Sequence, residues 1–346
     1  MSTVQPTRPW MATPSDRIRD GLIFIASILA SYLLVAATPM KGKLAYFFTF
    51  FAILTLANAL NSFLRYGFSA AKDAAVKTLV GVGALLTVMP IASILATVVS
   101  KGYKGIKLNL FTQDMSLATP TDPLNNGGIL HAITGTLMLV FLSLIMSVPL
   151  GILTALYLTE IKGRFSKPIK FLVQAMSGVP SIVAGLFILS AVLYPITKGY
   201  SGFMGALALT ILMIPTVART SEEVLNLIPQ DLREAGTALG GTQWRTVAMI
   251  VLPAARSGLI TAMILGVARI AGETAPLLLL TGGGDKVNGN PFSGPLGSLP
   301  YYIWKSFNAG SEEAITRAWA GLLVLVVLIL ILFTTARFLS TRKVSR

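Results

Sequence analysis

Residues 234–253, EAGTALGGTQWRTVAMIVLP, form a polar, glycine-broken insertion between hydrophobic runs that are each long enough to cross a bilayer. The approach to it is punctuated for a short helix. Pro229 suits a first helical position, and Asp231 and Glu234 set carboxylates toward the positive end of the helix dipole. Gly240-Gly241 can stop that helix, and Thr242 can cap the next one. Leu232, Ala235 and Leu239 fall on one face, while the small residues Ala235, Gly236 and Ala238 permit close insertion into a groove on another protein. A membrane protein with such a pair of short helices between spans is built to present it to a soluble partner.

Composition agrees with a membrane setting. Apolar residues make up 54% of the chain and charged residues 12%, about half the charged share of a soluble domain. The net charge of +14 lies mostly in short loops between apolar runs, so membrane topology explains it and nucleic acid does not. The chain has no cysteine, hence no disulfide or thiolate chemistry, and one histidine with scattered carboxylates does not make a metal site. No cofactor is called for. No phosphate-cradling G-x-x-x-x-G-K-[ST] stretch occurs, so any ATP-driven step needs a separate subunit. The first apolar run, 21–38, follows Arg17 and Arg19 but is too long for a signal peptide and lacks a clean cleavage site; it reads as an uncleaved span.

Eight segments approach the roughly 20 residues a spanning helix needs: 21–38, 44–63, 77–99, 129–158, 171–196, 202–219, 257–280 and 318–338. The backbone must satisfy itself in the bilayer, so the fold class is all-α integral membrane, with kinks expected at Pro149, Pro180 and Pro215. With the N-terminus inside, 18 Lys and Arg fall in cytoplasmic segments and nine outside, which sets both termini in the cytoplasm and the segment 220–256 with them. Residues 1–76 form an extra two-helix hairpin without intramembrane charge, and 77–346 a six-span core. Of the two long outside loops, 100–128 and 281–317, the second turns apolar around Tyr301-Tyr302-Ile303-Trp304. The segment 298–307 is then either a re-entrant dip or a surface loop with an aromatic anchor. His131 opens the fourth span as a tolerated interfacial residue, and Glu160 closes it among four basic residues that set orientation.

Arg269 and Glu273, in ARIAGETAPLLLL (268–280), lie midway through the seventh expected span and four residues apart, on one helical face. An intramembrane charge is expensive, so the pair faces the bundle interior or a wet path, where the arginine could attract an anion. The alternative is an ion pair that only locks helix packing.

Glu234-Ala235, Gly240 six residues beyond the glutamate, and Ile250-x-Leu252-Pro253 together resemble the EAA coupling loop of ABC-importer permeases, with Gly236 where the family usually has alanine. The resemblance implies that Glu234, Ala235, Gly236, Gly240, Leu252 and Pro253 belong to an element docking in a cleft of an ATPase dimer. Glu234 would contribute a polar contact and Gly240 the bend. ARIAGETAPLL with SGVPSIVAGLF (177–187) and SLPYYIW (298–304) is similar to the PstA-type permease family of phosphate-specific ABC importers over roughly 77–338. That likeness implies a six-span permease fold after the extra hairpin, and Arg269, Glu273, Pro180 and Ser181 along the translocation path. It also implies an ATP-binding subunit dimer, a second permease of the PstC type, an extracytoplasmic phosphate-binding protein and inorganic phosphate as partners. Another oxyanion, or the PstC-type role itself, is the alternative within this machine. A secondary transporter has no reason to hold the EAA-like loop. An intramembrane protease lacks its residues, because every aspartate falls in a loop or near a terminus.

Overall fold

Where no water is available to the backbone, an apolar run can satisfy its own amides only as a helix. The computed structural model describes residues 14–39 and 41–341, and its regular elements there are helical apart from one β-bridge between Gly282 and Leu296. Among the described residues seven helices are long and apolar enough to cross a membrane: Ser15–Ala37, Lys43–Tyr66, Phe68–Gly105, Leu130–Ile161, Gly202–Asn226, Gln243–Ala271 and Glu312–Phe338. The eighth expected crossing, 171–196, is not one rod. It is Ser166–Ser177 and Ser181–Thr197, bent by 105°. Pro180 has no amide hydrogen and biases Val179 away from helical geometry, so a kink becomes a complete break. Pro149 and Pro215, by contrast, lie inside continuous helices.

The chain divides into two compact units, Met1–Ala96 and Thr97–Arg346, so the division falls twenty residues beyond the hairpin limit expected at residue 76. In the first, α1 (Pro14–Ala37) and α2 (Lys43–Tyr66) run antiparallel, joined by ring contacts between Phe24 and Phe50 at 5.4 Å and Tyr32 and Tyr46 at 6.1 Å. Only Gly67 separates α2 from α3 (Phe68–Gly102), so the stretch expected as a loop before residue 77 is helical.

The second unit is organised around α8 (Gly202–Asn226), whose best apolar window is 67% buried against 39% for α5 (Leu130–Leu156, extended by a π turn at Tyr157–Ile161). In lipid, helices gain little from hydrophobicity alone, and close approach through small residues with interhelical hydrogen bonds takes over. Here Gly205, Ala206 and Ala208 line α8, and Ser143 on α5 donates to the Ala206 carbonyl at 3.2 Å. Leu139, Leu209, Leu212, Met213, Val217 and Ile270 fill the common core. The helix expected at 257–280 begins much earlier and ends sooner. A continuous rod, α10 (Gln243–Thr246), a π segment (Val247–Val251) and α11 (Leu252–Ala271), gives way at Gly272 to a break, then to α12 (Ala275–Leu280).

The 281–317 stretch folds inward. Leu296 and Leu299 are fully buried, and the Leu299 amide donates to the Thr136 hydroxyl of α5 at 2.8 Å. The helix α13 (Leu299–Ala309), opened by the Ser298 cap, sets Tyr302 against His131, ring centroids 5.8 Å apart. His131 is therefore a buried packing residue. On α14 (Glu312–Thr341), Arg317 is buried too, donating to the carbonyls of Asp122, Pro123 and Asn126 at 3.1, 2.8 and 2.7 Å.

Asp114 ties the two long loops together. It accepts from the Ser116 hydroxyl at 2.6 Å, from the Ser116 amide and, across 173 residues, from the Val287 amide at 3.1 Å. The Ser116 hydroxyl is the largest reason its carboxyl lies below the ordinary 3.8, with burial opposing. A depressed value makes this tie complete above pH 3.8 and lost as pH falls through the lowered value. Protection of the Val287 amide, relative to its intrinsic exchange rate, should fall only in that acid range, and in Asp114→Ala should already be low at neutral pH.

Candidate functional site: the coupling segment and two broken helices

After α8 the chain turns at Leu227–Pro229, and Pro229 is the residue capping the next helix rather than its first turn, with φ −56° and ψ 143°. Helix α9 (Gln230–Ala238) then carries Asp231 in its first turn. It closes with the paired backbone bonds of a Schellman motif: Gly241 N–H to the Gly236 carbonyl at 3.1 Å and Gly240 N–H to the Thr237 carbonyl at 2.9 Å. This closure needs a left-handed residue, and Gly240 supplies φ +81°. Thr242 accepts from the Arg245 amide and starts the long rod into α11. Pro253 cannot donate within that rod, and the π segment immediately before it absorbs the lost hydrogen bond.

The faces of α9 are sorted by task. Glu234 and Ala235 are exposed, as are Leu232 and Leu239, the latter at 88%. Gly236 points the other way. A β-carbon there would meet Thr246 Cγ2 at 2.6 Å and Ile250 Cδ1 at 2.8 Å. The glycine therefore permits α9 to pack on its own chain, and its difference from alanine is not neutral in size as the sequence alone implies.

Arg233 and Glu160 form the electrostatic centre of this segment. The Arg233 guanidinium donates to both Glu160 oxygens, at 2.8 to 3.1 Å, and to the carbonyls of Ile228 at 2.6 Å and Leu225 at 2.9 Å. Gln243 adds a bond to the Glu160 carbonyl at 2.7 Å. The pair is largely shielded, with side-chain exposures of 18% and 8%. It fastens α9 to the π turn ending α5 and to the end of α8. Glu160 is thus a buried anchor rather than part of an orientation-setting patch. Neither residue has a local spacing signal, since 73 positions separate them. Beside the pair lies a cavity of about 630 Å³ bordered by Lys162, Gln230, Glu234 and Thr237.

The second constellation lies at the opposite end of α11. Arg269 is in its last turn and exposed, but Gly272 ends the helix and leaves Glu273 outside it. The two do not share a helical face, and among the described residues no ion pair joins them. At the other break, Pro180 caps α7 (Ser181–Ile188, continued by a π segment to Thr197), with Pro180 exposed and Ser181 half-buried. The fold brings these breaks together. α7 packs on α12, and a β-carbon on Gly185 would stand 2.9 Å from Pro276 Cα.

Residues 147–345 match the family described as binding-protein-dependent transport system inner membrane component. A phosphate transport system permease protein PstA from Mycobacterium leprae is 39% identical over 268 residues, covering 75% of this chain and 87% of that protein. The protein of the same description from Pasteurella multocida is 39% identical over 253 residues, covering 72% and 88%. Among solved structures, a chain of a bacterial ABC transporter involved in import of the acidic polysaccharide alginate aligns with TM-score 0.57 at 16% identity, covering 80% of this chain and 99% of that one. A chain of the inward-facing MetNI methionine ABC transporter aligns at 0.50 and 19% identity, covering 62% and 93%. At these identities the structural likeness speaks for fold.

Removing Arg233 leaves a shielded carboxylate without its partner. Arg233→Ala should cost about 3 kcal/mol of local stability, the usual order for breaking a buried pair. Hydrogen exchange across 230–238 should rise accordingly. Arg233→Lys, which keeps charge but not the planar fork, should fall between.

Proposed function

The chain belongs to the inner membrane components of binding-protein-dependent transport systems, and on that premise we propose that it is a PstA-type permease subunit of an ATP-driven phosphate importer. It has no ATPase site of its own, and works with an ATP-binding subunit dimer, a second permease and an extracytoplasmic phosphate-binding protein. The observation that best supports this role is α9. Its Glu234 and its apolar residues Leu232, Ala235 and Leu239 are exposed while Arg233 and Gly236 bind it to its own chain. A helix so held is both a docking surface and a handle. In this proposal the ATPase closes on α9, and the clamp carries the displacement to α5 and α8 while the rod 243–271 carries it toward Arg269.

The translocation path runs past the two broken helices. Arg269 has no carboxylate partner among the described residues, so its guanidinium keeps its full donor set for a phosphate oxygen pair. An unpaired charge at membrane depth is costly, which a wet path shared with the second permease would offset. Pro180 and Ser181 border the same path, and Glu273 flanks its outer side. Both termini and the segment 220–256 are cytoplasmic in this arrangement, the loops 100–128 and 281–317 are outside, and the bent pair completes eight crossings. Residues 1–76 are an accessory hairpin on a permease of residues 77–346, and the complex lies in the bacterial inner membrane.

Transport by the reconstituted complex tests the path and the handle separately. Arg269→Ala should abolish phosphate uptake, and Arg269→Lys should retain a small part of it. Glu234→Ala and Gly240→Ala should hydrolyse ATP with little uptake per ATP. Unchanged uptake in Arg269→Ala would remove that side chain from the path.

Orientation has its own test because the chain lacks cysteine. A single cysteine at Gly241 should react with a membrane-impermeant maleimide only from the cytoplasmic side, and one at Asn288 only from outside. The reverse pattern would invert the topology.

A further inference from the structure

The N-terminal unit holds a cavity lined by its own three helices. On α2, Asn58, Asn61 and Ser62 recur at the spacing that puts them on one helical face, a polar stripe on an otherwise apolar span. Polar groups at membrane depth are costly unless they are partnered. Asn58 is partnered, donating to the Thr78 hydroxyl of α3 at 3.2 Å. Among the described residues Asn61 and Ser62 have no hydrogen-bond partner. Both line a cavity of about 450 Å³ between α1, α2 and α3, together with Arg19 and Lys77.

Donors converge there. Arg19 spends one nitrogen on Asp16 at 2.9 Å, while its Nε is buried without a partner. Lys77 has no acidic partner among the described residues. A turn or more deeper along the same helices the lining becomes Phe24, Phe51, Leu54 and Val82. The cavity therefore offers two basic side chains and hydrogen-bonding groups near the helix ends, and is apolar toward the middle of the spans. Asp20 on its border disfavours a ligand carrying two negative charges.

We propose that this cavity binds a glycerophospholipid, its phosphodiester held by Arg19, Lys77, Asn61 and Ser62, with an acyl chain along the phenylalanines. A single negative charge and an attached apolar tail match the lining, and basic pockets between transmembrane helices are suited to lipid headgroups. Inorganic phosphate shares the phosphate chemistry but lacks the tail, and at neutral pH a large share of it carries a second negative charge.

The test uses the assembled transporter in nanodiscs containing a photoactivatable phosphatidylglycerol, with crosslinks mapped by mass spectrometry. Crosslinks should concentrate on the lining of α1, α2 and α3. They should fall about tenfold in Lys77→Ala combined with Asn61→Leu, the order expected for losing a charged hydrogen bond. Lys77→Arg should keep them. A photoactivatable diacylglycerol, which lacks the phosphate, should not label the site. Millimolar inorganic phosphate should leave the crosslinks in place. Equal labelling by diacylglycerol, or equal labelling of a double variant that still assembles, would overturn the proposal. Displacement by inorganic phosphate would assign the site to the free ion and overturn it as well.

Discussion

Everything distinctive about this fold follows from the absence of water as a partner for the backbone inside the membrane. The chain can leave the helix only where its own groups take over the freed amides and carbonyls. At the first break, the amides of Gly178 and Val179 still reach the carbonyls of Ala175 and Met176 at 3.1 and 3.2 Å, and the Pro180 carbonyl already accepts from Val183 at 3.0 Å. At the second, Glu273 N–H reaches Ile270 and the Thr274 carbonyl accepts from Leu278. Pro276 then sits in the first turn of α12, where its missing hydrogen is one that no intrahelical acceptor needs. At both interruptions part of the freed backbone is thus rebonded within the chain.

The same accounting explains how a short surface helix is held to the body of its unit. α9 has nine residues, too few to hold its shape alone. It is fixed by its glycine closure, by the approach that Gly236 allows, and by the Arg233–Glu160 clamp. Two of the three π segments, 157–161 and 247–251, flank it, one carrying Glu160 and the other meeting Gly236 through Ile250. The irregular turns thus aim side chains at α9, which is held to the ends of α5 and α8 and to the rod 243–271.

Hydropathy made the spans legible, because length and apolarity are what the bilayer demands. It could not show where they break. Gly272-Glu273-Thr274 sits inside an apolar run, so the seventh span read as continuous to residue 280, and Arg269 and Glu273 appeared to share a face they do not share. At Pro180 residue type gave the place of an interruption but not its size, a 105° bend between 166–177 and 181–197. Helix punctuation was readable locally: Gly240 and Thr242 do what their residue types permit. Long-range partners were not. Nothing near Glu160 in the chain distinguishes a buried anchor from one acid among surface bases, and Gly236 looked interchangeable with alanine until Thr246 was seen beside it.

Three arginines state the logic of the second unit. Arg317 is sealed in the protein and held by three main-chain carbonyls, which offsets its desolvation and pins a loop. Arg233 is mostly shielded and held by a carboxylate and two carbonyls, so its charge is committed to joining helices. Arg269 receives neither treatment: it stands exposed at a helix end, next to a break, without an acidic partner among the described residues. A guanidinium left unpaired at the end of a spanning helix would be a liability in a purely structural role. In the proposed path, water, a neighbouring subunit or a passing anion would complete its coordination beside the two broken helices.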